Sequence, residues 1–284
     1  MNKPVFITEC PRDAMQGIHD WIDTTIKAEY MNQLLNCNFD TLDFGSFVSP
    51  KAIPQMKDTA EVLSLLNESK TKLLAIVANS RGAEDASKFD RIHYLGYPFS
   101  ISETFQLRNT NATIEESLHR VEEISSICVK ANKELVLYLS MGFGNPYGDS
   151  WSPDLMAEWT EKLTTRFDIA RISLSDTIGA ATPELVKTVF STITKSFSNL
   201  QISAHLHTLP QNAKILTEAA YTGGCQYFEG AIRGFGGCPM AKDDLTGNMP
   251  TEQLLEWFHT NNIETGVSQN EFEKSLVTSV KVFH

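Results

Sequence analysis

Two histidines separated by a single residue, His205 and His207, are the first sign of chemistry in this 284-residue chain. On an extended strand, residues two apart project from the same face, so both imidazoles can meet one partner. A carboxylate from a neighbouring element would complete a three-ligand metal set, and Asp13 is the best placed of the acids. Nitrogen and oxygen ligation without thiolate suits Mg2+, Mn2+, Fe2+ or Zn2+ alike. The competing reading is a histidine pair that merely decorates a polar edge strand.

Other residues of the chain could join this pair. Arg12 adjoins Asp13; it forms either a plain ion pair or a fixed guanidinium for an enolate or carboxylate oxygen. Cys238 lies in Gly234-Phe235-Gly236-Gly237-Cys238-Pro239, whose glycines let backbone approach a ligand closely. A cysteine in such a loop is a poor core residue, which leaves proton donor or nucleophile as its role. Asn248, in Thr246-Gly247-Asn248-Met249-Pro250, either lends its carbonyl oxygen to a cation or shapes a turn. Asp176-Thr177 either contacts a substrate or a metal-bound histidine, or closes an Asx-type turn.

Eight short apolar runs are available to position these groups: residues 5–9, 39–44, 72–78, 91–100, 135–140, 169–174, 201–205 and 225–232. Their near-continuous apolar character fits strands buried on both faces of a parallel sheet. Helical segments alternate with them. Thr113-Ile114-Glu115-Glu116 is a capping box, Ser152-Pro153 and Thr182-Pro183 are cap-plus-proline starts, and Gly223-Gly224 closes a helix that follows Pro210. Strict alternation with a count of eight predicts one (β/α)8 TIM barrel over residues 1–284, with an extra C-terminal helix over 271–284. The polar groups above then fall where strands end and loops begin, which is where barrels carry out chemistry.

The formal charge of −11 disfavours a nucleic-acid or membrane-surface partner. The five cysteines lack a CxxC pair and argue against a disulfide framework. With no leader-like or membrane-length apolar run, a cytoplasmic protein is expected.

The blocks at residues 11–16, Ser46-Phe47-Val48-Ser49-Pro50-Lys51, Asp176-Thr177-Ile178-Gly179, His205-Leu206-His207, Gly236-Gly237-Cys238-Pro239 and Gly247-Asn248 resemble, in order, those of 3-hydroxy-3-methylglutaryl-CoA lyases. The resemblance runs from about residue 8 to about residue 267. It implies a β/α barrel that binds an acyl-CoA, is commonly dimeric, and holds Mg2+ or Mn2+ through Asp13, His205, His207 and Asn248. It further implies that Arg12 stabilises the enolate of departing acetyl-CoA, that Cys238 relays a proton, and that Gln16, Asp43, Ser173, Thr177 and Glu252 line the pocket. The expected reaction is a metal-assisted retro-Claisen cleavage to acetyl-CoA and acetoacetate, with Asp13 in the catalytic group and His205 as base. Two departures stand out: Asp43 replaces the family's usual glutamate, and Thr208 an acidic residue often found after the second histidine. Alternatives are an acetyl-CoA/2-oxo acid condensing synthase of the isopropylmalate or citramalate type, an iron oxygenase, or a non-catalytic acyl-CoA-binding barrel.

Overall fold

A computed structural model describes residues 2–237 and 246–283. The eight apolar runs become eight parallel strands that close into a barrel in sequence order, β1 pairing with β8. In chain order the first half comprises β1 (Phe6–Glu9), α1 (Pro11–Gln16), α2 (Thr24–Leu35), β2 (Thr41–Ser46), α3 (Thr59–Leu65), β3 (Lys72–Ile76), α4 (Ser80–Ser87) and β4 (Ile92–Ser100). The second half comprises α5 (Glu103–Thr110), α6 (Ile114–Lys130), β5 (Glu134–Ser140), α7 (Pro153–Phe167), β6 (Arg171–Asp176), α8 (Pro183–Ser196), β7 (Gln201–Leu206), α9 (Ala213–Thr222), β8 (Tyr227–Gly230), α10 (Thr251–Thr260) and α11 (Gln269–Thr278).

The helix signals behave as the chemistry of capping requires. Thr113 and Glu116 form the reciprocal capping box of α6. Ser152 and Thr182 accept hydrogen bonds from the Leu155 and Leu185 amides at the starts of α7 and α8, each followed by a proline that has no amide to strand. The helix expected after Pro210 opens with a 3-10 turn, Pro210–Asn212, before α9. The extra C-terminal helix is α11; it begins two residues earlier than expected and ends in a 3-10 turn, Ser279–Lys281.

Strand limits shift where apolar residues pack outside the ladder. Phe39 and Ile169 belong to the core but precede β2 and β6, so both strands begin later and run on through Ser46 and Asp176. Asp43, Ser173 and Asp176 accordingly sit within strands and not on the loops after them.

Alternation divides the strands between two apolar layers. Leu73, Leu95, Leu137 and Ile172 join the main core with the helices, whereas Leu74, Ile76, Tyr94, Val136 and Tyr138 form a separate buried cluster. Burying one such leucine or isoleucine side chain contributes roughly 1.5–3 kcal/mol. Polar groups share this interior: Ser173 on β6 bonds Glu229 on β8 at 2.6 Å, and since β7 separates those strands the contact crosses the barrel. Among the described residues no helix is long and apolar enough to cross a membrane.

Candidate metal centre and acyl-binding cavity

The site starts at the exit of β1. Pro11 occupies the first turn of α1, a position that needs no amide donor, and this short helix carries Arg12, Asp13 and Gln16 into the barrel mouth. Asp13 Oδ1 accepts from Arg12 Nη1 at 2.9 Å and from Gln16 Nε2 at 2.6 Å; Oδ2 accepts from Asn248 Nδ2 at 2.6 Å. His207 Nε2 stands 3.8 Å from the same Oδ2, and ligand atoms of Asp13, His205 and His207 lie within 4.8 Å of one another. All three residues are buried. Residues 192 positions or more apart in sequence thus converge as the histidine spacing implied.

Asn248 reaches this point because the strand past β7 continues. His207 bridges Asn248, and the Thr208 amide donates to the Gly247 carbonyl at 2.9 Å. Its Nδ2 also donates to the Phe235 carbonyl at 2.9 Å. A half-turn of the amide would exchange nitrogen for oxygen at the same place. Gly236, at φ +107°, leaves room for this contact; a Cβ there would stand 2.4 Å from Asn248 Nδ2 and 3.0 Å from the Asp13 carbonyl.

Arg12 makes a second, stronger engagement with Asp43 of β2. Nε lies 3.2 and 3.1 Å from the two carboxylate oxygens, and Nη2 lies 2.5 Å from Oδ2. Asp43 is aimed there by a register shift between β2 and β3 at Asp43 and Gly45, a local bulge that turns the strand.

Electrostatics prepare the set for a cation. Burial alone raises the Asp13 carboxyl, but Arg12, His205, His207 and Asn248 outweigh it and hold it at about 2. Burial, and then His205, depress His207 to about 4, so its imidazole is neutral near pH 7, as a metal ligand must be. Burial lowers His205, but its hydrogen bond to Glu229 together with the charges of Glu229 and Asp13 outweighs that and raises it overall. Burial pushes Asp43 up to about 6 against the pull of Arg12.

A cavity of about 150 Å3 opens over Arg12, Asp13, His205 and His207. Gln16, Ser140, Ser175 and Thr177 add polar groups, while Ile76, Pro98, Phe105 and Tyr138 supply apolar walls. Thr177 Oγ1 accepts from the Met141 amide at 3.3 Å. Asp176 serves its own turn, accepting from the amides of Ile178, Ala180 and Ala181, and it does not line the cavity. Ser173 is committed to Glu229. Glu252, in the first turn of α10, accepts from the Arg233 amide at 3.0 Å, away from the cavity lining. Cys238 lies outside the described residues.

Sequence reasoning passed over Glu229 and the neighbouring Cys10. Glu229 Oε2 is 3.0 Å from His205 Nδ1, and Cys10, His205 and Glu229 form a further buried group of potential ligands. The available signal was an acid inside the apolar run Tyr227-Phe228-Glu229-Gly230, where a charge without a partner is costly.

A model of the family described as HMGL-like matches residues 3–276. The chain belongs to the HMGL-like family. Among curated relatives, it is 34% identical over 267 residues to hydroxymethylglutaryl-CoA lyase YngG of Bacillus subtilis, covering 93% of this chain and 88% of that one. It is 31% identical over 259 residues to the mitochondrial hydroxymethylglutaryl-CoA lyase of Homo sapiens, covering 91% and 79%. The structure of the Bacillus subtilis HMG-CoA lyase superposes with a TM-score of 0.91 at 32% identity, over 99% of this chain and 95% of that one. An Acinetobacter baumannii HMG-CoA lyase in complex with coenzyme A and 3-methylmalate gives a TM-score of 0.91 at 28% identity, over 99% and 92%. The HMGL-like match covers every block on which the resemblance rested.

The donor set fits a hard divalent ion. Two buried imidazoles, one of them neutral, and a carboxylate held near 2 converge with an amide beside them. His207 Nε2 and Asp13 Oδ2, at 3.8 Å, share no hydrogen bond that a cation would have to break.

Proposed function

We propose that this chain is a divalent-metal-dependent carbon–carbon lyase that cleaves 3-hydroxy-3-methylglutaryl-CoA to acetyl-CoA and acetoacetate. The observation that carries this reading is the convergence of Asp13, His205 and His207 beside Arg12 at the floor of one cavity. The named relatives supply the acyl group: each is called a hydroxymethylglutaryl-CoA lyase.

Asp13, His205 and His207, joined by the Asn248 amide, would hold Mg2+ or Mn2+, which supplies Lewis acidity for the tertiary hydroxyl and its neighbouring oxygen. Asp13 would orient the ligand set, anchored by Arg12, Gln16 and Asn248. Arg12 would meet the negative charge that grows on the thioester oxygen as the bond breaks; the Asp43 fork fixes its plane before substrate arrives. Gln16 and Thr177, both in the cavity wall, would contact the acyl group. With Nδ1 bound to Glu229 and Nε2 left for the metal, His205 acts in this reading as a ligand and not as the base. Cys238 keeps the proton relay to the enolate carbon that the resemblance implies. Ile76, Pro98 and Phe105 exclude water from the enolate. The working form in this reading is a cytoplasmic homodimer.

The test is anaerobic incubation with Mg2+ or Mn2+ and 3-hydroxy-3-methylglutaryl-CoA. Release of acetoacetate and acetyl-CoA supports the reading. Thiol release from acetyl-CoA plus a 2-oxo acid, without acetoacetate formation, would replace it with a condensing synthase.

A further inference from the structure

We infer that Glu229 is a positioning residue: it holds His205 in the tautomer that turns Nε2 toward the metal, and Ser173 in turn holds Glu229. The inference rests on the metal site proposed above and assigns to that site a support layer within the barrel.

Three contacts carry it. Glu229 Oε2 lies 3.0 Å from His205 Nδ1, and Glu229 Oε1 accepts from Ser173 Oγ at 2.6 Å. Both carboxylate oxygens are thereby used, and the side chain is 3% exposed, so water does not compete for either. The third contact is steric: the Tyr138 ring meets the His205 ring edge-on, with centroids 5.6 Å apart at 87°, and backs the imidazole on one side.

A neutral imidazole carries one proton on either of its nitrogens, and only the other can bind a metal. A carboxylate at Nδ1 keeps the proton there and leaves the Nε2 lone pair free. The hydrogen bond also makes the ring a better electron donor. His207 offers a milder contrast: it faces the Thr246 backbone, but its buried Nδ1 makes no hydrogen bond of acceptable geometry among the described residues. The two histidines are thus unequally supported, with a side-chain carboxylate behind His205 alone. This arrangement also gives Ser173 a task. From β6 it cannot reach the cavity except through Glu229, so it acts as the second link of a chain Ser173–Glu229–His205.

The experiment measures Mn2+ affinity of the full chain by titration calorimetry, with His207→Ala as control, and reads the His205 tautomer from long-range imidazole 1H–15N spectra of the metal-free protein. Glu229→Gln keeps size and one acceptor but removes the charge; it is expected to weaken Mn2+ binding by about 10–100-fold. Glu229→Leu removes the acceptor too, and the His205 proton is expected to leave Nδ1 for Nε2 in part of the population. Ser173→Ala is expected to cost several-fold in affinity, with a modest fall in thermal midpoint because one buried Glu229 oxygen loses its donor. Glu229→Gln and Ser173→Ala that both bind Mn2+ within twofold of the parent would overturn the inference, as would an unchanged tautomer in Glu229→Leu. If Glu229→Gln does not fold, Ser173→Ala and the spectra decide. Should His207→Ala bind Mn2+ as tightly as the parent, the metal site itself is misplaced, a failure separate from that of Glu229.

Discussion

The Arg12 guanidinium closes on Asp43 through three contacts of 2.5–3.2 Å, while its remaining nitrogen holds Asp13 at 2.9 Å. One side chain therefore ties β2 to the metal-facing carboxylate, and all three charges are buried. Such a cation has no freedom to search for a growing oxyanion; in the proposed reaction that charge would form beside it.

Removing one partner of a buried pair strands the other. Asp43→Ala is expected to destabilise the fold by about 3–5 kcal/mol, seen as a fall in thermal midpoint, because Arg12 keeps its charge without its fork. Turnover should fall by about a hundredfold with a much smaller change in KM, since the lost alignment matters most in the transition state. An unchanged kcat would show that the Arg12 fork is structural only.

Asp13→Ala removes a ligand and also strips Arg12, Gln16 and Asn248 of a shared acceptor. Mn2+ binding should weaken beyond a hundredfold and acetoacetate formation should be lost. Asp13→Asn separates the two roles, since it keeps an acceptor for Arg12 but not the charge: thermal stability is expected to recover in part, metal affinity to remain poor.

Glu9 links stability to pH. It ends β1, and its oxygens accept from the Ile232 amide at 2.8 Å and from Thr251 Oγ1 at 2.6 Å. Burial, opposed by those bonds, pushes its carboxyl from 4.5 up to about 8. Between these values the unfolded chain has released the proton and the folded one keeps it, so stability falls as pH rises. This contribution is complete below pH 4.5 and is lost by about pH 8, a span worth up to about 4–5 kcal/mol for a fully buried group. Glu9→Gln should flatten that part of the profile in urea titrations run at pH 5, 6.5 and 8. Parallel profiles for the two proteins would refute the assignment.

Gly236 is needed for its missing side chain. In Gly236→Ala the added carbon would press on Asn248 Nδ2 and the Asp13 carbonyl, from a backbone φ of +107° that side chains rarely adopt. Turnover is expected to drop by about a hundredfold, because displacement by about an ångström misaligns reacting groups. Thr113→Ala serves as the counter-case. It should cost about 1 kcal/mol by removing the cap of α6, with kcat and KM unchanged.

The sequence by itself determined what local chemistry controls. Prolines that lack an amide begin α7 and α8, Thr113 and Glu116 cap α6, and eight apolar runs require strands that are buried on both faces. The spacing of His205 and His207 likewise put two imidazoles on one face, a consequence of strand geometry alone. Tertiary structure decided the partners. Asn248 meets Asp13 across 235 positions, Arg12 turns to Asp43 across 31, and Glu229 reaches across the barrel interior to Ser173. No local propensity encodes those contacts, because a side chain's neighbours across a closed sheet depend on how all eight strands register before the ring shuts.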